Sequence, residues 1–256
     1  MTRLLTAAIL IPIVLYAVFV GPWWLLLAVV AAFASLSFIE YCGICEVNRA
    51  PLALGLVGGL SLLAAPLAES LAILTLLALL ALLLPLRGDD LRRDLNASLA
   101  LVAGVVYIFG AMKSAYLLGQ LNPYWLFFPL VVSWLGDTGA YYVGGRFGKH
   151  KLAPRVSPGK SWEGAVASGA LSVIFAVLVM PRLIPGLSVS QAALLGIVVN
   201  IAGQAGDLAE SALKRAAGKK DSGSLLPGHG GMLDRIDSAL FAIPVTYVLI
   251  TRLAIA

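Results

Sequence analysis

The residues with the most chemical potential lie between 211 and 237. The run Ser211-Ala-Leu-Lys-Arg-Ala-Ala-Gly-Lys-Lys-Asp-Ser-Gly-Ser-Leu-Leu-Pro-Gly-His-Gly-Gly-Met-Leu-Asp-Arg-Ile-Asp237 holds five cationic side chains, three carboxylates and a histidine. The chain around it is 60% hydrophobic and only 12% charged, so such a cluster needs a use. Charges spaced along a glycine-rich loop between two apolar segments suit a polyphosphate and a divalent cation. Lys214, Arg215, Lys220 and Arg235 can meet phosphate oxygens, with Ser211 at the head of the run. Carboxylates are hard ligands suited to Mg2+, which takes one or two of them and completes its shell with substrate phosphates. In Pro227-Gly-His-Gly-Gly231 the backbone can wrap closely round a ligand, because glycine accepts positive φ and adds no bulk. Gly230 and Gly231 are therefore expected at the substrate. His229, set between those glycines and Asp-Arg-Ile-Asp237, is expected beside phosphate among the catalytic residues, without a general-base role.

A second basic segment contains Ser157-Pro-Gly-Lys-Ser-Trp-Glu-Gly164. Gly159-Lys160-Ser161 matches the tail of a P-loop, but Pro154 stands where that motif needs glycine. No strand is expected before it, which excludes the ATPase reading. What remains is Ser157, Lys160 and Ser161 at the start of a helix, where free N–H groups and the helix dipole attract anions. A plain helix cap is the bland alternative.

These residues must be positioned by membrane helices. Apolar runs of about 18 residues, long enough to cross a ~30 Å hydrocarbon core, recur from end to end. Nine spans can be drawn, at 4–20, 23–41, 52–67, 70–86, 96–119, 124–143, 162–180, 190–212 and 238–255. Pro66 and Glu69 divide the third from the fourth. The expected fold is all-α and polytopic, with helices 1–120 nearly featureless and a catalytic region, 121–256, whose loops are 144–161 and 213–237. Links rich in Lys and Arg alternate with near-neutral ones, which by the positive-inside rule puts the N-terminus in the cytoplasm. The first span is expected to stay, since Val20-Gly-Pro-Trp-Trp offers no small-x-small cleavage site. A net charge of +5 in such a chain is no nucleic-acid signature.

In this topology six carboxylates from four spans collect at the cytoplasmic level: Asp137, Glu163, Asp207, Glu210, Asp234 and Asp237. Ionisable groups within a span usually face a bundle interior or water. Asp207 and Glu210, three apart, share a helix face. Neutralising the basic loops is the plain alternative for any one of them. Lys113 is expected to snorkel to the outer surface in a structural role. Cys42 and Cys45 are the only two cysteines, too few for a thiolate zinc site, and read as incidental thiols.

Ser211-x-Leu-Lys-Arg, then Lys220-Asp-x-Gly223, then Leu-Pro-x-His-Gly-Gly-Met-x-Asp-Arg-Ile-Asp237, resembles the signature of phosphatidate cytidylyltransferases, the CDP-diacylglycerol synthases. Trp134-Leu-Gly-Asp-Thr-Gly-Ala-Tyr141, Gly145-Arg-Phe-Gly-Lys149 and Ser157-Pro-x-Lys-x-x-Glu-Gly164 resemble further segments of that family, with Ser161 where threonine is common. The resemblance is strong over 133–238 and weak upstream. It implies cytidylyl transfer from CTP to phosphatidic acid by a Mg2+-dependent enzyme of the bilayer, often a homodimer, with its site facing the cytoplasm. It implies metal-site roles for Asp207, in Gly-Asp-Leu-x-Glu-Ser, and for Asp234. On that basis Asp207 and Asp234 are expected to hold Mg2+, with Asp237 as support or as ligand to a second cation. Lys160 and Ser157 would hold the lipid phosphate, with Ser161, Glu163 and Asp137 beside it. The cell membrane, the inner one where two exist, is the expected location. A transferase for another lipid phosphate and an ion-coupled transporter stand as alternatives. The transporter would normally show midplane acids at broken helices and inverted repeats, neither of which is visible.

Overall fold

The apolar runs fold as the helices their lengths require. The structure, a computed structural model, describes residues 2–225 and 230–253. Helices occupy every expected span: α1 (Thr2–Phe19), α2 (Trp23–Ile44), α3 (Arg49–Ala64), α4 (Ser70–Leu83), α5 (Leu91–Gly104), α6 (Ala111–Leu121), α7 (Pro123–Phe147), α8 (Trp162–Leu183), α9 (Val189–Ala216) and α10 (Leu233–Arg252). Helices α5 and α6 are one rod joined by a π-helical turn, Val105–Gly110. Among the described residues, five helical segments are long and apolar enough to cross a membrane: Trp23–Ile44, Leu67–Leu86, Leu91–Leu121, Trp162–Leu183 and Val189–Ala216. The architecture is that of an all-α membrane protein. Helices α7 and α10 are not among the five; they carry Asp137, and Asp234 with Arg235 and Asp237.

One segment departs from the expected loop. Strands β1 (Lys151–Ala153) and β2 (Ser157–Ser161) pair antiparallel, with Lys151 opposite Ser161 and Ala153 opposite Ser157. Ser157 and Lys160 thus lie on a strand, and only Ser161 sits at the helix start, accepting from the Gly164 N–H at 3.2 Å. Sequence reasoning missed the strand because Ser-Pro-Gly-Lys-Ser lacks the apolar alternation that marks one.

The chain packs as two units. One comprises the chain up to Tyr116 together with Ala217–Arg235; the other comprises Leu117–Ala216 and the chain from Ile236. In the first, the Phe38 ring lies fully buried over Gly55, and meets Phe109 edge-on at a centroid distance of 5.5 Å. Glycines admit this close approach, the usual way membrane helices gain packing where lipid offers no hydrophobic drive. Pro66 ends α3, and Lys113, a residue only 5% exposed, closes its end: the ammonium donates to the carbonyls of Leu62 at 2.9 Å, Leu63 at 3.4 Å and Ala65. It does not snorkel. A cation at a helix C-terminus satisfies orphan carbonyls and opposes the dipole. We expect Lys113→Met to lower unfolding stability by about 1–3 kcal/mol, the cost of leaving such groups unpaired. Turnover per folded molecule should stay near wild type, and a hundredfold loss of it would give Lys113 a chemical role. Cys42 and Cys45 are unbridged, and burial pushes the Cys45 thiol above its ordinary range, as suits an inert residue.

In the second unit, α7, α8 and α9 pack through small residues. Gly136 of α7 lies against Ser168 and Asn200, and Gly196 of α9 lies against the Ser172 and Val173 backbone. Asn200 donates to Ser168 Oγ at 2.8 Å and Ser172 Oγ at 2.9 Å, and Gln204 donates to Asn200 Oδ1 at 2.6 Å and the Ala165 carbonyl at 3.2 Å. The three bonds that cross to α8 are worth roughly 1 kcal/mol each and fix which faces meet.

Candidate functional site

Helix α9 is the axis of the second unit's polar region. Asn200, Gln204, Asp207 and Ser211 follow at spacings of four, three and four, so one helix face carries them all. Strand β2 brings Lys160 to that face, with Nζ 2.5 Å from Asp207 Oδ2. Ser211 Oγ lies 3.5 Å from Asp207 Oδ1. The two charged side chains are each about a quarter exposed, 26% and 27%, so the pair is wetted at its mouth. Behind it a cleft of about 240 Å³ runs between α7, α8 and α9, lined by Asp137, Lys160, Ser161, Asp207, Gln204 and Asn200 among others. The last turn of α9 is fastened to the hairpin, because Arg215 Nε donates to the Val156 carbonyl at 3.4 Å.

Carboxylates gather at this place. Asp207, Glu210 and Asp137 all act electrostatically on Asp237, at the start of α10. Glu210 is fully buried and forms an ion pair with Lys214 one turn on, at 2.5 Å. Glu163, expected with this cluster, takes another partner: it accepts from His150 N at 3.3 Å and lies 2.6 Å from His150 Nδ1. It ties the hairpin to α8. Ser157 is half-buried on β2, and Asp137 is exposed at the cleft.

Two lysines meet part of this charge, Lys160 at Asp207 and Lys214 at Glu210. The oxygen-only donor set here suits Mg2+ rather than a softer metal. Among the described residues no group of three His, Cys, Asp or Glu is placed to hold a metal ion by itself.

Residues 217–233 belong to the first unit, and among those described two acids hold Ser222 and the backbone at 231–233. Asp234 accepts from the N–H groups of Ser222, at 3.0 Å, and Gly231, at 2.8 Å. Glu40 of α2 accepts from Met232 N at 2.9 Å, Leu233 N at 2.8 Å and Ser222 Oγ at 3.1 Å. The turn depends on glycine: Gly230 has φ of 79°, and a Cβ on Gly231 would fall on Ser222 Oγ and Glu40 Oε2. Lys220 and Arg235 are exposed. His229 lies outside the described residues.

The structure therefore brings together Asp137, Lys160, Ser161 and Asp207 at one cleft, with Ser211, Glu210 and Asp237 adjoining. Lys220, Gly230, Gly231, Asp234 and Arg235 belong to the loop-bearing unit. Sequence reasoning missed Glu40, because one acid near the end of an apolar span carries no sign of a partner 192 positions away. It also missed Asn200 and Gln204, whose spacing from Asp207 on one helix face was the available signal.

The Cytidylyltransferase family model matches residues 1–253. The chain is 34% identical over 252 residues to the uncharacterized protein YnbB of Escherichia coli strain K12, covering 90% of this chain and 80% of that one. It is also similar to the phosphatidate cytidylyltransferase of Bacillus subtilis strain 168, at 44% identity over 135 residues, 52% of this chain and 49% of the relative. For the phosphatidate cytidylyltransferase of Pseudomonas aeruginosa the figures are 50% over 117 residues, 45% of this chain and 43% of the relative. The similarity thus spans about half the length of these two relatives.

Proposed function

This chain belongs to the cytidylyltransferase family, and from that premise we propose that it transfers cytidylyl from CTP to phosphatidic acid, forming CDP-diacylglycerol and pyrophosphate. The observation that carries the reading is the ion pair of Lys160 and Asp207 at the mouth of a cleft walled by membrane helices. Such a cleft lets acyl chains stay in the bilayer while the headgroup reaches charge.

A phosphate oxygen of the lipid attacks the α-phosphorus of CTP, and the bond from that phosphorus to the bridging oxygen breaks. Pyrophosphate leaves with the electron pair. The lipid phosphate is already an anion at neutral pH, so little deprotonation is needed and no general base is assigned. The barrier lies in joining two highly negative groups and stabilising charge as it moves to pyrophosphate, which makes positioning and electrostatics dominant. Lys160 and Ser157 hold the lipid phosphate. In this reading Lys214, Arg215, Lys220 and Arg235 would meet the triphosphate and the departing pyrophosphate, the role the sequence also gives His229. Asp207 and Asp237 would hold Mg2+, with Asp234 as the further carboxylate that the family resemblance implies. A bound Mg2+ would neutralise phosphate charge and orient the triphosphate.

In this reading all nine spans cross the membrane, the N-terminus and the site face the cytoplasm, and the protein works in the inner membrane as a homodimer. The test is purified protein in detergent with labelled CTP, Mg2+ and, in separate reactions, phosphatidic acid, a polyprenyl phosphate and an archaeal ether-lipid phosphate. Formation of CDP-diacylglycerol, lost with EDTA and nearly lost in Asp234→Asn, is the expected result. Product from only another lipid phosphate would reassign the substrate. Near-wild-type turnover in Asp234→Asn would remove that residue from the metal site.

A further inference from the structure

Lys219 on one side and Ser222 with Met232 and Leu233 on the other meet the last turns of α2, at two points that each place a charge on a helix end of opposite sign. Lys219 Nζ donates to the Gly43 carbonyl at 2.6 Å, a cation at the C-terminus of α2. Glu40 sits at the other end of the loop, at the N-terminus of α10. The first N–H groups of a helix have no partner within it. Here Met232 N and Leu233 N both go to Glu40, and Asp234 N goes to Ser222 Oγ at 3.3 Å. That hydroxyl in turn donates to Glu40. All three orphan donors are thus held directly or indirectly by one carboxylate from a helix nearly two hundred positions earlier.

The surroundings are shaped to that carboxylate. A Cβ on Gly223 would come within 2.8 Å of Glu40 Oε1, and one on Gly231 would collide with Oε2. Met232 and Leu233 are buried and Ser222 is 8% exposed, so water is a poor substitute for the acid. Because Glu40 occupies the N-terminus of α10, that helix end is not offered to a phosphate. What it fixes instead is the backbone at 231–234, and with it the direction of the Asp234 side chain.

We propose that Glu40 is a positioning residue for the transfer reaction: it docks Ser222, Met232 and Leu233 on α2 and sets the start of α10, so that Asp234 and Arg235 are presented in one orientation. The inference rests on the function proposed above for its catalytic half only. The chemistry requires both carboxylate oxygens. Glutamine at this position can accept from Met232 but turns an NH2 towards the Leu233 N–H, whereas aspartate keeps both acceptors on a shorter arm.

The experiment compares Glu40→Gln, Glu40→Ala and Glu40→Asp with wild type in detergent. Amide hydrogen exchange over 230–235 is read without substrate, and kcat and KM for CTP are read with phosphatidic acid. In Glu40→Gln and Glu40→Ala we expect faster exchange at Met232 and Leu233. We also expect kcat to fall by about 10- to 100-fold, the scale seen when a supporting group behind a site is lost. KM should change little, and Glu40→Asp should recover part of both signals. An active enzyme indifferent to Glu40→Gln would overturn the positioning role and leave the reaction standing. Loosened exchange in Glu40→Gln beside a wild type that forms no CDP-diacylglycerol would overturn the reaction and leave the clamp. Should Glu40→Ala fail to fold, Glu40→Gln and Glu40→Asp carry the comparison.

Discussion

Asp207→Asn is expected to lower turnover by about 100- to 1000-fold, the scale of losing one electrostatic stabiliser from a preorganised site, while the protein stays folded. Both halves of that expectation follow from the geometry. Asp207 meets Lys160 at 2.5 Å and Ser211 at 3.5 Å, and is one of three carboxylates acting on Asp237. Removing its charge strips the proposed metal site of a ligand and frees Lys160 in the same step. The cost in stability should nevertheless be small. Both partners are about a quarter exposed, and ion pairs that water can reach are worth roughly 1 kcal/mol or less. The check is kcat against Mg2+ concentration, together with thermal unfolding in the same detergent. A variant that unfolds several degrees lower and turns over normally per folded molecule would make Asp207 a structural partner of Lys160. A variant with normal stability and a turnover that excess Mg2+ cannot restore is the result the reading requires.

What could be read in the sequence depended on whether partners were near in sequence or only near in space. The helices were legible because crossing a hydrocarbon layer sets a length, and even the division at Pro66 and Glu69 follows from local chemistry: α3 ends at Ala64 and α4 begins at Ser70. The gathering of Asp137, Asp207, Glu210 and Asp237 was legible as well, since all were expected at one membrane depth. Depth alone could not say which acid turns to which neighbour. Glu163 was expected at that depth too, yet it pairs with His150, because the hairpin that follows His150 has no apolar period to announce it. Lys113 was expected near an aqueous surface and instead caps α3, a contact between residues about fifty positions apart. Glu40 is the extreme case. A featureless apolar helix supplies the acid that holds Ser222, Met232 and Leu233, and nothing in the local pattern of either segment names the other.

The same distinction governs Lys214, which the sequence assigns to phosphate and the structure pairs with Glu210. The Glu210 side chain is fully buried and that of Lys214 only 12% exposed, so this pair, unlike that of Asp207, is sheltered from water. Breaking a buried pair from one side leaves an uncompensated charge and typically costs about 3–5 kcal/mol, whereas replacing both members with neutral groups of similar volume is often close to neutral. Lys214→Met should therefore be among the most destabilising substitutions in α9, read as loss of thermal stability in detergent. Glu210→Gln combined with Lys214→Met should recover most of that loss. Turnover of the double variant then separates the two roles. If Lys214 also faces the triphosphate, the refolded double variant remains slow, with a raised KM for CTP. Restoration of both stability and turnover would confine Lys214 to neutralising Glu210 and leave the triphosphate to Arg215, Lys220 and Arg235.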